Sequence, residues 1–328
     1  MTALRRRAEM DPITHTMAGA VMACVGADRR TPLAATTLIL AANAPDVDIF
    51  SIWVGSFASL AFRRGWTHGP IALAVLPFVI TGAVLAWDRW VRRRRDPSLT
   101  PVDARWTLIL AVVGCLSHPL LDWLNTYGIR LLMPFSGRWY YGDALFIIDP
   151  WWWLLLATTL FLARRKASPR TVRVAGVVAL CYPIALIALG RVGDRVALGA
   201  AGEQGIVGVR EILYQPSPGN PFVARLIAVT DDAYHFGTLR WLRAERVRFG
   251  EQVIARGDWS DARVVAARDD ADVRDFLVWA RYPYAAIDSN PAGASVRFGD
   301  ARFPPGRISA GALSGLRVPS ARDGVPGR

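Results

Sequence analysis

Cysteine is scarce in this chain, and the three cysteines, Cys24, Cys115 and Cys181, lie far apart within apolar runs. No two of them stand at the short spacing that a thiolate metal site or a redox pair requires. We therefore expect neither a disulfide nor a cysteine-ligated metal, and we interpret the three side chains as small apolar fillers. Cysteine usage consequently does not identify the compartment in which the protein works.

Acidic residues are also few in the first part of the chain. Residues 1–191 contain 11 Asp and Glu against 21 Arg and Lys, whereas the remainder is nearly balanced at 16 against 18. A net charge of +12 could indicate a nucleic-acid partner. The excess, however, occurs in short clusters between apolar runs, RRRR at 92–95 and RRK at 164–166. Clusters of this kind are typical of the cytoplasmic loops of membrane proteins, so we expect no nucleic-acid binding.

Long apolar runs are abundant, and 52% of the residues are hydrophobic. A membrane-spanning helix needs about 20 apolar residues, a length that the third, fourth and sixth runs reach. The fifth is marginal, and the first two are short enough to be a tight hairpin or partly re-entrant. We predict an all-α polytopic membrane domain of about six helical segments within residues 1–191. The segments are 13–27, 32–43, 69–91, 104–124, 146–163 and 172–190.

The character of the chain changes after residue 192, where apolar and polar residues alternate, as in ARLIAVTDDAYHFGTLRWL. Alternation punctuated by Gly, Pro, Asn and Asp is typical of strands. We therefore predict a mostly β domain over residues 192–315, followed by a disordered tail at 316–328. No internal repeat is visible in either part.

The orientation follows from the arginines. Loops 88–105 and 164–173 carry the basic clusters and are expected on the cytoplasmic side, which makes the β domain extracytoplasmic. The Arg5–Arg7 cluster opposes this assignment if residues 1–9 are translated; Met10 is an alternative start. We expect no cleavable signal peptide, because the first apolar run ends in GADRRTP.

Only four histidines occur, and three of them, His15, His68 and His118, stand at the ends of apolar segments. With the orientation set by arginines alone, all three fall at the outer face, together with the aspartates of NAPDVD and LLDWLN. His118 and Asp122 are four residues apart and project from one side of a helix. Imidazole and carboxylate groups favour zinc, manganese or iron over calcium. We predict one or two divalent cations, with zinc favoured, bound by His15, Asp46, Asp48, His68, His118 and Asp122.

Polar residues near the predicted ligands are expected to accept a proton, to orient the ligands or to cap a helix. Asp48 is the candidate general base, or a bridging ligand if two metals bind. Asn43 and Thr67 are expected to orient the ligands. Asp149 either belongs to this outer layer or only caps the helix that starts at the following proline. His235 lies in the β domain and is expected to be structural or exposed.

Small residues and prolines near these ligands predict local geometry. Gly19, one turn after His15, allows another helix to approach closely. Pro45 disfavours helix at the residue before it, so the segment around the NAPDVD aspartates is expected to break helix at the membrane face.

Five stretches stand in a consistent order over about residues 10–165: MDPITHTMAGA, NAPDVD, RRGWTHGP, SHPLLDWLNTYGIRLLMPFS and DALFIIDPWW. Together they resemble the LexA-binding, inner-membrane-associated hydrolases of bacteria and archaea. YQPSPGNPF, followed by predicted strands, is similar to the extracytoplasmic tail of longer members. The resemblance implies a membrane-embedded, zinc-dependent hydrolase. A looser likeness of the His…PD…His…HxxxD arrangement to zinc-dependent phospholipases C implies phosphoester chemistry.

Three functions are compatible with these observations. The leading hypothesis is metal-assisted hydrolysis of an ester or phosphoester in a membrane lipid or lipid-linked substrate, at the outer face of the inner membrane. The alternative is a non-catalytic scaffold or partner-binding protein with a structural metal or polar cluster. A transporter would scatter polar residues through the depth of the spans, whose middles are nearly free of them. The sequence indicates no oligomeric state.

Overall fold

The computed structural model describes residues 12–290, 293–305 and 309–314; the predictions about residues 1–9 and about the tail at 316–328 lie outside them. The first part is mainly helical, with an irregular stretch over residues 124–149. A 3-10 helix, Ala44–Trp53, follows the second α-helix without interruption, and a π turn, Asp88–Arg92, joins the fourth to the fifth. The helices are α1 Pro12–Cys24, α2 Ala34–Asn43, α3 Ser56–Phe62, α4 Pro70–Trp87, α5 Arg93–Arg95, α6 Ala104–Trp123, α7 Pro150–Arg164 and α8 Pro169–Glu203.

The prediction of six membrane spans is wrong in number. In the described part of the chain, three helical stretches are long and apolar enough to cross a membrane: Pro70–Arg95, Ala104–Trp123 and Pro169–Glu203. The other three segments are helical, but α1, α2 and α7 contain only 13, 10 and 15 residues. At 1.5 Å per residue they are about 15–22 Å long, short of a hydrocarbon layer about 30 Å thick.

The short helices pack against the long ones through small residues. A Cβ at Gly19 of α1 would lie 2.9 Å from the Leu38 carbonyl oxygen of α2, which confirms the predicted close approach. A Cβ at Gly114 of α6 would likewise lie 2.6 Å from the Ala41 side chain of α2. The helix α2 therefore packs against both α1 and α6 at backbone contact distance.

The two ends of the helical part carry different residues: the basic loops lie at one end and the predicted ligands at the other. The α1–α2 connection meets the start of α6, where the Asp103 amide donates to the Thr31 hydroxyl. The carboxylate of Asp88, at the end of α4, accepts from Arg92 and from the Val102 amide at the same end. The carboxyl end of α2, the amino end of α4 and the carboxyl end of α6 meet at the opposite end, which carries the predicted ligands. The helix break predicted from Pro45 is not present as such. The helix α2 ends at Asn43, but Ala44 has helical dihedral angles and the chain continues as the 3-10 helix. Pro45 is accommodated because it lies in the first turn of that helix, where its missing N–H is not needed.

The remainder of the chain confirms the predicted β domain. Antiparallel pairing gives a four-stranded sheet in the order β1-β2-β3-β4 and a three-stranded sheet in the order β5-β6-β7. Ile227, Phe276 and Phe298 are fully buried in the clusters between these elements. The elements are β1 Glu211–Ser217, β2 Asn220–Val229, β3 Ala233–Arg240, β4 Val247–Ala255, α9 Ala262–Ala267, α10 Ala271–Trp279, β5 Pro283–Asn290, β6 Gly293–Asp300 and β7 Ser309–Ser314.

A single continuous helix, α8, connects the membrane part to the β domain. It does not end at the predicted residue 190 but continues to Glu203, and its 35 residues extend over roughly 50 Å, longer than the hydrocarbon core. Near its end, a Cβ at Gly193 would lie 2.7 Å from the ring of Tyr214 in β1. The last turns of α8 therefore belong to the β domain and fix its distance from the membrane part.

The β domain is also anchored on the loop that follows α6. Arg302 is fully buried, pairs with Asp300 at 2.7 Å and donates to the Thr126 carbonyl at 2.8 Å. Arg281 pairs with Asp143 at 2.8 Å. Both arginines thus tie the β domain to the end of the helical part where the predicted ligands meet.

Candidate metal centre

Two histidines that are 50 residues apart in sequence meet at this end. His68 lies just before α4 and His118 in the last turns of α6; both side chains are completely buried. Their Nε2 atoms are 3.0 Å apart. Two apolar segments therefore meet through polar atoms. Burying such atoms costs free energy unless they are paired.

The proton positions follow from the partners of the other ring nitrogens. His118 Nδ1 lies 2.6 Å from the Ala42 carbonyl oxygen, which can only accept, so Nδ1 must carry the proton. The Thr67 hydroxyl donates to Asp48 and therefore accepts from His68 Nδ1, 2.9 Å away. Both Nε2 atoms then direct lone pairs at each other. Only a cation between them, a proton or a metal ion, makes this arrangement favourable.

Two carboxylates complete the group. Asp122 Oδ2 is 3.3 Å from His68 Nε2 and 3.5 Å from His118 Nε2, and Asp46 Oδ1 is 3.6 Å from His118 Nε2. One donor atom from each of the four residues lies within 4.8 Å of the others. Two imidazole nitrogens on a tetrahedral zinc ion are about 3.3 Å apart. The four residues therefore have donor types and spacing that could hold a metal ion.

Several carboxylate oxygens of this group are buried without a hydrogen-bond partner. Asp122 Oδ2 and both carboxylate oxygens of Asp46 are buried and accept no hydrogen bond. Burial raises the pKa of Asp46, because the charged form loses its hydration. Burial likewise lowers the pKa of His68, which keeps that imidazole neutral and able to act as a ligand. A divalent cation would satisfy the oxygens and the nitrogens together.

His15 and Asp48 lie beside this group of four. The His15 ring stacks on His118 with centroids 4.0 Å apart, and its Nε2 is 3.4 Å from Asp122 Oδ1. Asp48 Oδ2 accepts from Thr67 and from the Arg64 amide, on the Nδ1 side of His68. The geometry therefore places His15 against two of the four residues, and Asp48 behind a third.

The predicted orienting residues occupy different positions. Thr67 links Asp48 to His68, as described above. The Asn43 amide donates to the Thr16 hydroxyl and to the Ile39 carbonyl, which ties α2 to α1. Asp149 caps α7 by accepting from the Trp152 amide and also accepts from the Tyr182 hydroxyl. The capping role proposed for Asp149 is thus present.

Arg64 and Asn125 also contact the group but were not among the predicted site residues. Arg64 donates to Asp122 Oδ1 at 3.2 Å and to Asn125 Oδ1 at 2.8 Å, and its side chain is buried. It adopts a left-handed backbone conformation with φ +56°. Because its partners are about 60 residues away, no local pattern could predict the contact. The sequence did offer one indication, which is their position close to predicted ligands: Arg64 lies in RRGWTHGP and Asn125 in LLDWLN.

The fold and the site define an integral membrane protein with a possible metal-binding centre where its helical part meets a β domain. A family model described as YdjM inner membrane protein matches residues 10–192, more than half of the chain, and the chain belongs to that family. The match supports localisation in the inner membrane. It covers the whole candidate centre and ends within α8. No curated protein and no solved structure matches the chain.

Proposed function

We propose that this protein is a metal-dependent hydrolase that cleaves a phosphoester of an amphiphilic substrate at the outer face of the inner membrane. The observation that carries the proposal is the pair of buried imidazoles, His68 and His118, whose Nε2 lone pairs face each other at 3.0 Å. Beside them, both carboxylate oxygens of Asp46 and the Oδ2 atom of Asp122 accept no hydrogen bond. A cluster of this kind is costly in a membrane protein unless it binds a cation.

The four clustered residues would hold the ion, and their neighbours would position them. A divalent cation there would supply Lewis acidity that lowers the pKa of water and polarises a substrate oxygen. Asp48 would orient His68 through Thr67. It is less suited to the role of general base predicted above, because its Oδ2 already accepts two hydrogen bonds and its Oδ1 lies 3.6 Å from Arg63 Nε. Burial lowers the pKa of His15 to about 4, so this imidazole is a weak proton acceptor and its contact with Asp122 suits a positioning role.

The charge of the centre favours an anionic substrate. Three aspartates, Asp46, Asp48 and Asp122, lie beside the buried side chains of Arg63 and Arg64. Burial alone raises the pKa of Asp46, but a bound divalent cation would keep all three carboxylates ionised. The three aspartates, the two arginines and the ion would then carry one net positive charge. In a poorly hydrated site this residual charge attracts a phosphoester more strongly than a neutral carboxylic ester.

The surroundings favour a lipid-like substrate. The 3-10 helix that carries Asp46 and Asp48 presents Phe50 and Trp53 outward, and Val54 follows directly after it; Trp53 and Val54 are each 81% exposed. Large apolar side chains exposed beside a membrane helix are typical of a surface in contact with lipid, and tryptophan prefers the headgroup level. The centre would therefore open where the ester bonds of lipids lie.

A structural metal site is the second candidate. Four protein ligands satisfy a tetrahedral ion completely, whereas a catalytic ion keeps one position for water or substrate. The group of four, Asp46, His68, His118 and Asp122, could form such a closed set. In that case the ion would tie α2, α4 and α6 together without chemistry, as in the scaffold alternative.

Metal content and hydrolysis in the same preparations test the proposal. We expect detergent-purified protein to contain bound zinc, manganese or iron and to hydrolyse bis(p-nitrophenyl) phosphate. His118→Ala should lose most of the metal and all turnover, whereas His235→Ala, the matched change at the histidine outside the centre, should keep both. Unchanged metal content in His118→Ala would disprove the centre. Full metal content without hydrolysis of phosphoesters or carboxylic esters would instead favour the structural site.

A further inference from the structure

A cavity of about 630 Å³ lies at the other end of the helical part, between the α1–α2 connection, the first turns of α6 and the start of α8. Its volume is in the range of small-ligand sites. The cavity shares no residue with the candidate metal centre, which lies at the opposite helix ends.

The lining of this cavity is amphiphilic. Its inner wall consists of apolar groups, among them Cys24, Val25 and Leu110, and three guanidinium groups belong to Arg29, Arg30 and Arg173. All three arginines are exposed, whereas Leu110 is buried. Cationic groups thus lie at the water-facing side and apolar groups towards the protein interior.

Two of these arginines, Arg30 and Arg173, are held in place without being neutralised. Arg30 lies over the ring of Trp106, with the guanidinium carbon 4.7 Å from the ring centroid, and Arg173 donates to the Pro169 carbonyl. Within the described residues, no carboxylate forms an ion pair with any of the three. Their charge is therefore available to a ligand from outside the chain.

We propose that this cavity binds a phosphate-bearing anionic lipid headgroup, with the first part of an acyl chain along its apolar wall. A basic pocket between membrane helices is the typical geometry for such recognition, and guanidinium groups match phosphate oxygens. Topology alone explains why arginines occur at this end, as in RRRR at 92–95, but not why three of them surround a cavity with an apolar wall. A soluble phosphate could bind the same guanidinium groups but would make no contact with the apolar wall.

Binding measurements with a charge-matched control test this proposal. The full chain in detergent is titrated with dioctanoyl phosphatidylglycerol, with dioctanoyl phosphatidylcholine and with inorganic phosphate, and binding is followed by native mass spectrometry. The pocket variant is Arg30→Gln/Arg173→Gln. The control is Arg94→Gln/Arg95→Gln, which removes the same charge from exposed positions at the same end. We expect phosphatidylglycerol to bind best and the pocket variant to weaken it about 30-fold, with little change in the control.

Each other outcome has a definite meaning. Equal binding of the two lipids, or equal losses in both variants, would overturn the proposal, because the arginines would then act only as diffuse surface charge. Binding of inorganic phosphate that competes with the lipid and is lost in the pocket variant would support the anion site. If phosphate alone bound as tightly as phosphatidylglycerol, the ligand would be soluble and the lipid assignment would fail. Circular dichroism of both variants checks that they remain folded.

Discussion

At the residue scale, the centre depends on a few hydrogen bonds that fix the imidazole tautomers. Thr67 is the clearest case, because one hydroxyl accepts from His68 and donates to Asp48. The residue types and their placement at helix ends could be predicted from the sequence. The positions of His15 and Asp48 beside the group of four could not be predicted from the sequence. They depend on which ring nitrogen and which carboxylate oxygen face the centre of the group. The Arg64 contacts were likewise beyond prediction, because they join residues distant in sequence.

Replacing Thr67 by valine tests this orienting role. The change keeps the side-chain shape but removes the hydroxyl, so the His68 ring loses the partner that fixes its proton on Nδ1. We expect metal affinity to fall about 10–100-fold, the usual effect of losing a group that orients a metal-bound histidine. Competition with a chelating dye measures the affinity. Thr67→Ser, which keeps the hydroxyl, should bind metal like the unmodified protein; equal affinity in the valine variant would contradict the role.

At the element scale, helix type was easier to predict than helix length. The apolar runs correctly indicated helices in all six segments. Three of these proved too short to span, because α1 ends at Cys24 before the Gly26 turn, α2 ends ahead of Pro45, and α7 ends at Arg164. The helix α8 proved longer than predicted, since its charged continuation leaves the apolar layer and packs on the β domain instead. Hydropathy indicates where a segment leaves the hydrocarbon layer, whereas the helix itself can continue beyond that point.

Two glycines of the membrane helices test the packing of α2 against α6. A Cβ at Gly114 would meet the Ala41 side chain at 2.6 Å, whereas a Cβ at Gly82 in α4 meets nothing within 4 Å. Gly114→Ala should push α6 from α2 and destabilise the protein by about 1–3 kcal/mol. Gly82→Ala should be neutral or slightly stabilising, because alanine favours helix. Unfolding midpoints in detergent measure both. Equal midpoints would show that the helices are not in backbone contact.

At the scale of the whole molecule, the two ends of the helical part differ in chemistry. The end facing the β domain carries the candidate metal centre, and the end with the basic loops carries the arginine-lined cavity. The arginine clusters alone predicted that the candidate ligands share one end, and the contact between His68 and His118 confirms that they meet. The prediction succeeded despite the wrong number of spans, because the short helices still reverse the chain direction in the same order.

The orientation in the membrane is the remaining prediction at this scale, and two serines offer a matched test. Ser98, in the basic loop, and Ser260, in the β domain, are both exposed, and each donates to the aspartate two residues before it. Single cysteines at these positions, in a background lacking the native cysteines, should therefore react similarly with maleimide once membranes are opened. In intact spheroplasts, an impermeant maleimide should label Ser260→Cys and spare Ser98→Cys, because arginine-rich loops are retained in the cytoplasm. The reverse pattern would place the candidate metal centre at the cytoplasmic face and reject an outer-face substrate.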